Sequence, residues 1–430
     1  MQKLNPVPKA VTDHVDEICG KLDKKHKKLS QLFRNCYPNT LQTTAEVLDD
    51  GSVFLLTGDI PAMWLRDSTA QMTQYLPLAK TDKEVAALIA GLVRKQIAYI
   101  LIDPYANAFN REPNGKGHTT DQTDQNPWVW ERKYEADSLC YPLRMAWLYY
   151  EATGDTSIFD ENFAKAADTI LRLWTKEQRH DTMSDYRFRR RGDWKSDLRN
   201  EGKGMPTNYT GMTWSGFRPS DDACTFGYLV PSNMFASVVL GYLQTIFTDI
   251  LPRPALADRA AKLQNEIDFG IKSYATVLHP KYGLIYACET DGYGNYHLFD
   301  DANVPNLLSA PYLGFTDVSN PVYQNTRQFI LSDENPYFYR GKYAEGIGSP
   351  HTPKGYIWHI ALSMQGLTAT DENEMKNILT MLEQTDGDTG FMHEGFDPNA
   401  PATFTRPWFA WSNSLFAEFL EKVLNETDIL

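Results

Sequence analysis

Cysteine is scarce and unpatterned: five residues, Cys19, Cys36, Cys140, Cys224 and Cys288, are scattered through 430 with no CxxC spacing. Neither a disulfide framework nor a zinc site is indicated, and a reducing compartment is expected. The amino-terminal stretch MQKLNPVPKAVTDHVDEICGK has no apolar signal core, and no later run is expected to reach the roughly 18 apolar residues of a membrane span. A cytoplasmic location is the expectation. The motifs GxxxxGK[ST], GxGxxG, GxSxG and HExxH are all missing, so no cofactor is indicated. Positive charge is also short, with 42 Lys and Arg against 55 Asp and Glu and a net charge of −13. A nucleic acid or an anionic membrane as partner is disfavoured, because both select basic surfaces. A neutral small molecule fits better, and the oligomeric state is not legible.

Aromatic residues are abundant: ten Trp, twenty-three Tyr and twenty-one Phe. Many lie in loops containing Gly and Pro, which hints at sugar stacking, with ordinary core packing as the alternative. Helical periodicity is strong at Val85, Leu88, Ile89 and Leu92 behind a Thr81-x-x-Glu84 capping box, and at Met375, Ile378, Leu379 and Leu382 behind Asp371-x-x-Glu374. Phe163, Ala166, Ala167, Ile170 and Trp174 form a third stripe. Weaker helices are expected over about 14–34, 68–78, 137–152, 230–250, 256–275, 355–368 and 408–424. Strand signals are confined to SVFLL at 52–56 and to a hairpin-like insertion over 284–299 around Asp291-Gly292 and Gly294. The chain is therefore mainly α, and helices alternating with long loops (104–134, 185–229, 285–315, 335–354, 386–407) suit a toroid of helical hairpins. No linker is evident, so residues 1–430 are read as a single catalytic domain.

Carboxylates set among aromatics carry the chemistry. In TWSGFRPSDDACTFGYLVP, residues 213–231, Asp221 and Asp222 are adjacent and flanked by Trp214, Phe217, Phe226 and Tyr228, whose desolvation would raise a proton affinity. In GDIPAMWLRDSTAQM, residues 58–72, Arg66 and Asp67 follow Met63, Trp64 and Leu65. They form either an N-cap with its ion-pair partner or a clamp on vicinal hydroxyls. In DQTDQNPWVWERKYEADSLCYP, residues 121–142, Gln125 and Asn126 lie beside Trp128 and Trp130 as planar amides beside indoles do in sugar sites. Glu135 and Asp137, two apart, cannot share a helix face, and neither is read as catalytic. Asp300, Asp301 and Asn303 lack the spacing of a Ca²⁺ loop, so no metal is assigned. In GDTGFMHEGFDPNAPATFTRPWFAW, residues 387–411, Glu394 is the second candidate acid, while His393 reads as a structural imidazole. Two such acids and no cofactor are what glycosidic bond hydrolysis requires.

At GDIPAMWLRDSTAQM, YEADSLCYP, GFRPSDDACTFGYLVPSN, DDANVPNLL and FMHEGF the chain resembles glycoside hydrolase family 125, exo-α-1,6-mannosidases, from about residue 10 to the end. The resemblance implies an (α/α)6 barrel, release of terminal α-1,6-linked mannose with inversion, and no metal. It implies Asp221 as general acid and Glu394 as general base. It also implies that Arg66, Asp67, Asp301 and Asn303 hold the terminal mannose, with Trp64, Gln125, Asn126, His351 and Trp358 as neighbours. Asp222 must point away from Asp221 and so binds a hydroxyl or stabilises Arg218. If Ser220 capped a helix, its dipole would oppose an acidic Asp221. Rival readings are another (α/α)6 glucosidase, epimerase or lyase, or a sugar-binding protein without turnover. An epimerase would rely on paired histidines and a lyase on a basic cleft.

Overall fold

The computed structural model describes residues 7–22, 25–192 and 196–430. Parts of three expectations lie outside the described residues: positions 23–24 of the helix at 14–34, 193–195 of the loop at 185–229, and 1–6 of the amino terminus.

Two kinds of helix alternate along the chain. The first kind is buried all round over its first turns: Leu65–Thr73, whose Arg66, Asp67 and Gln71 are buried with it, and the more apolar Cys140–Thr153, Val230–Thr245, His359–Leu367 and Ala410–Glu426, with the short Ala310–Leu313 beside them. A helix without a polar face must lie inside. Ala410–Glu426 packs against both His359–Leu367 and Leu65–Thr73, Leu65–Thr73 against Cys140–Thr153, and Cys140–Thr153 against Val230–Thr245, which touches Ala310–Leu313. These make the inner ring. The second kind buries only one stripe: Lys27–Cys36, Lys83–Ile102, Glu161–Glu177, Pro254–Tyr274, Pro321–Ile330 and Glu372–Gln384. In Glu161–Glu177 the stripe is Phe163, Ala166, Ala167, Ile170 and Trp174, as the periodicity requires, and the Asp160 side chain caps the helix at Phe163 N. The result is an (α/α)6 barrel whose core runs unbroken from Val11 to Val423. Inner helices approach closely where Gly366 faces the Phe419 ring, since a Cβ there would sit 2.3 Å from it.

Two expectations about Lys83–Ile102 need correction. Its cap is Asp82, which accepts from Glu84 N and Val85 N at 2.9 Å, and not Thr81; a carboxylate one residue on reaches the same free N–H groups. By length and composition alone the helix would also pass as a membrane span, against the expectation of no such run. Its Val85, Ile89, Leu92, Val93 and Ile100 are spent on the core, against Cys140–Thr153 and Glu161–Glu177.

Strands are short. Val53–Leu55 pairs with Ala45–Val47, and Glu289–Thr290 pairs with Tyr296–His297 across a turn where Gly292 and Gly294 take φ of +77° and +96°. The 284–286 part of the expected insertion belongs to the strand Gly283–Tyr286, which instead pairs backwards with Thr276–His279. More important for the site, Met63–Trp64, Tyr228–Leu229 and Ile357–Trp358 are two-residue strands that lead directly into inner helices. Trp64, Trp358 and Phe409 are the residues immediately before three of those helices, and all three line one cavity. The amino-terminal ends of the inner ring thus meet where the long loops gather.

Candidate active site

A cavity open to solvent lies at this meeting point. It brings together Asp221, Glu394, Arg66, Asp67, Trp64, Asn303, His351 and Trp358 from sequence positions up to 330 apart. Of the other residues singled out, Asp222 and Asp301 stand just behind the wall, and Gln125 and Asn126 are elsewhere. Asn126 is used in its own turn, accepting from Trp128 N at 3.0 Å, and exposed Gln125 donates to Asp121 O. Amide-beside-indole spacing here marks a turn outside this cavity.

Asp221 is placed by a strained, well-braced turn. Its φ is +67°, in the left-handed region that non-glycine residues seldom occupy. Arg218 N donates to Asp222 O at 2.8 Å and Asp221 N to Arg218 O at 2.9 Å, while Phe217 and Ala223 form a bridge across the base. Asn303 Nδ2 donates to Pro219 O at 2.6 Å and Ser220 Oγ to Asp301 Oδ2 at 2.6 Å. Asn303 and Asp301 therefore fix the turn that aims Asp221. No helix begins at Ser220, so the opposing dipole does not arise. The Asp222 carboxylate faces His351 at 3.8 Å, and Arg218 is paired instead with Glu289 at 2.6 Å in the interior, which corrects the expected Asp222–Arg218 link. Burial opposes a charge on His351, but Asp222 and Asp221 beside it raise its pKa to about 9.

The wall behind Asp221 is densely ionic. Arg66 and Asp67 lie in the first turn of Leu65–Thr73, whose N-cap is Trp64, so Asp67 is not the cap. Thr57 Oγ1 donates to Asp67, Arg66 Nε lies 3.3 Å from Asp67 Oδ1, and Arg66 Nη1 donates to Glu135 and lies 3.8 Å from Asp137. Glu135 and Asp137 thus do converge, because Glu135 is extended and precedes the short 3₁₀ turn Ala136–Leu139 instead of sharing an α-helix. Both are fully buried, and burial raises both carboxyls, Asp137 to about 6, against the pull of Arg66. Burial also favours a protonated Asp221, but Lys133 Nζ at 3.9 Å and then Arg66 outweigh it and hold its carboxyl below the usual range.

Glu394 lines the same cavity. It precedes Gly395–Phe396, which pairs with Ile357–Trp358, so Trp358 and Glu394 are held in fixed register. Thr405 Oγ1 donates to Glu394 Oε2 at 3.0 Å and Arg406 Nη1 lies 3.8 Å from Oε1. Burial raises the Glu394 carboxyl, and Arg406 and His351 limit the rise. His393 is buried, stacked 3.7 Å from Phe404 and bonded to Thr389, a structural imidazole as expected. Asp300 is likewise structural, accepting from Leu307 N and Leu308 N.

Sequence reasoning overlooked Thr57, Ile60, Ser220, Arg406 and Phe409 in the cavity wall. Arg406 carried a readable signal, a lone arginine among Phe404, Trp408 and Phe409 in the Glu394 loop, much as Arg66 follows Met63 and Trp64. Thr57 and Ile60 carried none. Trp64 Nε1 and Asp222 Oδ2 are buried polar atoms without a hydrogen-bond partner among the described residues, a donor and an acceptor at a site suited to hydroxyl groups. Two carboxyls border this cavity, one backed by cations and one near an arginine, and a pair of such acids is what glycosidic bond hydrolysis requires.

Comparison with known proteins bears on this geometry. A family model described as metal-independent α-mannosidase (GH125) matches residues 26–421. The chain is 38% identical to the Meiotically up-regulated gene 157 protein of Schizosaccharomyces pombe, over 97% of this chain and 86% of that one. It is 52% identical, with a TM-score of 0.95, to a metal-independent α-mannosidase of Streptococcus pneumoniae solved in a non-productive complex with α-1,6-mannobiose, covering 97% of this chain and 98% of that chain. A glucoamylase from Saccharomycopsis fibuligera shares the fold alone, at 11% identity and a TM-score of 0.57, over 97% of this chain and 96% of that one.

Proposed function

The chain belongs to the GH125 family of metal-independent α-mannosidases, and from that premise we propose that it removes single terminal mannose residues from α-1,6-linked oligosaccharides, with Asp221 as general acid and Glu394 as general base. The observation that carries this reading is that both carboxyls border the same cavity. Asp221 would protonate the glycosidic oxygen as the bond to C1 breaks. Glu394 would take a proton from the water that attacks C1 from the opposite face, with inversion. An exo mode is what the family resemblance implies, and Arg66, Asp67, His351 and Trp64 line the cavity where they can bind the hydroxyls of the terminal ring.

The resting charges favour a second reading, in which the roles are exchanged, since Asp221 is held ionised and Glu394 is raised. Two points favour the first. A general base works best with a pKa close to working pH, so a raised Glu394 suits the base. The Asp221 wall also holds protonatable carboxyls directly behind it.

Incubation with α-1,6-mannobiose should yield free mannose, while α-1,2- and α-1,3-mannobiose are cleaved much more slowly. Equal rates on all three, or none on the first, would remove the linkage assignment. Read as a single catalytic domain acting on a small-molecule substrate, the protein should need no additional component in that assay.

A further inference from the structure

Glu135 is a buried carboxyl for which the mechanism above has no role. Its side chain has no exposure, while that of Asp221 keeps 24% and opens to the cavity. Asn107 Nδ2 lies 3.3 Å from both Glu135 Oε1 and Asp221 Oδ1, so one amide draws the two carboxyls together. Two carboxyls sharing one buried donor repel when both are ionised, which favours a state in which one of them carries a proton. The remaining Glu135 oxygen accepts from Arg66 and from Ser138 Oγ at 2.8 Å, so it has a fixed orientation and no route of its own to the cavity.

We propose that Glu135 is a positioning residue that holds, through its contact with Asp221, the proton that Asp221 delivers to the glycosidic oxygen. This rests on Asp221 being the acid. The pair carries one proton between its two carboxyls. As the C1–O bond breaks, the proton passes from Asp221 to the leaving oxygen. If it resided on Glu135, the Glu135 O–H bond breaks as the Asp221 O–H bond forms. Both carboxylates are then ionised between Arg66 and Lys133, and the proton released by the attacking water is on Glu394 until solvent exchange resets the site. The arrangement resolves the conflict between a lowered Asp221 and its acid role, because the proton is stored beside it. Two interacting carboxyls lose their protons in macroscopic steps that belong to the pair.

The charged groups facing the pair are Arg66 and Asp67 from the helix Leu65–Thr73, Glu131 and Lys133 from the strand Val129–Glu131 and the residues after it, Asp137 from the 3₁₀ turn, and His351 from its loop. None of these is altered in the test. Glu135→Gln replaces the shared proton with an amide that donates to Asp221 and stabilises its anion. The alkaline limb of kcat/KM on α-1,6-mannobiose should move down by about one pH unit or more, since interacting sites differ by at least that much, while the acid limb set by Glu394 stays in place. The loss should be smaller on 2,4-dinitrophenyl α-mannoside, whose leaving group needs little protonation. Glu135→Asp, which keeps a carboxyl at shorter reach, should restore part of the limb. An unmoved alkaline limb in both variants, or equal losses on both substrates, would overturn the proposal. If Glu135→Gln does not fold, Glu135→Asp decides: a limb at the wild-type position contradicts it. Failure of the Asp221 assignment itself would show separately, as near-wild-type turnover of mannobiose by Asp221→Asn.

Discussion

Asp221→Asn is expected to lower kcat on α-1,6-mannobiose by about 10²–10⁴-fold, the usual contribution of a general acid, while the fold and sugar binding persist. Asparagine is the informative replacement because it is among the few residues that tolerate the left-handed conformation that Asp221 adopts at φ +67°. The turn would stay braced by Asn303 and by the Ser220–Asp301 bond, and Lys133 would keep Glu131 at 3.3 Å. What disappears is a transferable proton. The deficit should therefore shrink on 2,4-dinitrophenyl α-mannoside, which leaves without protonation. Steady-state kinetics on the two substrates, with thermal unfolding as the control for folding, check this. An equal deficit on both would argue against the acid role.

Glu394→Gln should show the complementary pattern: a loss of about 10²–10⁴-fold on both substrates, because activation of water is needed whatever leaves. Thr405 Oγ1 can still donate to the Gln oxygen, and Arg406 retains Asp59 at 2.6 and 2.9 Å, so the loop should hold. The pH dependence has a definite sign. Burial raises Glu394, so in wild type the acid limb of kcat/KM should lie above the range of an ordinary glutamate, with activity gained as pH rises through it and Glu394 ionises. Removing the carboxylate should abolish that limb. If the roles were exchanged, the two variants would trade patterns, and Glu394→Gln would be the one spared by the activated substrate.

The helical frame was legible because amphipathic stripes and side-chain caps are local. Phe163 to Trp174 and Met375 to Leu382 announce their buried faces, and Asp371 accepts from Asn373 N and Glu374 N at the start of its helix. The site was legible in part, where a carboxylate or an arginine interrupts an aromatic stretch, as at Asp221, Arg66 and Glu394. It was obscured where the decisive contact is made by backbone conformation. Glu135 and Asp137 looked incompatible under α-helical spacing and meet at Arg66 only because the chain there is extended and then 3₁₀. Asn107 sits in a loop with no pattern to mark it, yet touches Glu131, Glu135 and Asp221. Asp222 and Arg218 were drawn together by proximity in sequence, whereas Glu289, 71 positions away, supplies the stronger partner.

Proton NMR of an α-1,6-mannobiose digest, followed from the first minutes before mutarotation, tests most directly whether two opposed carboxyls act across the sugar with water between. β-Mannose as the first-formed anomer is the expected result. α-Mannose appearing first would mean retention, and with it a covalent or otherwise different mechanism in which Glu394 is not a base toward water.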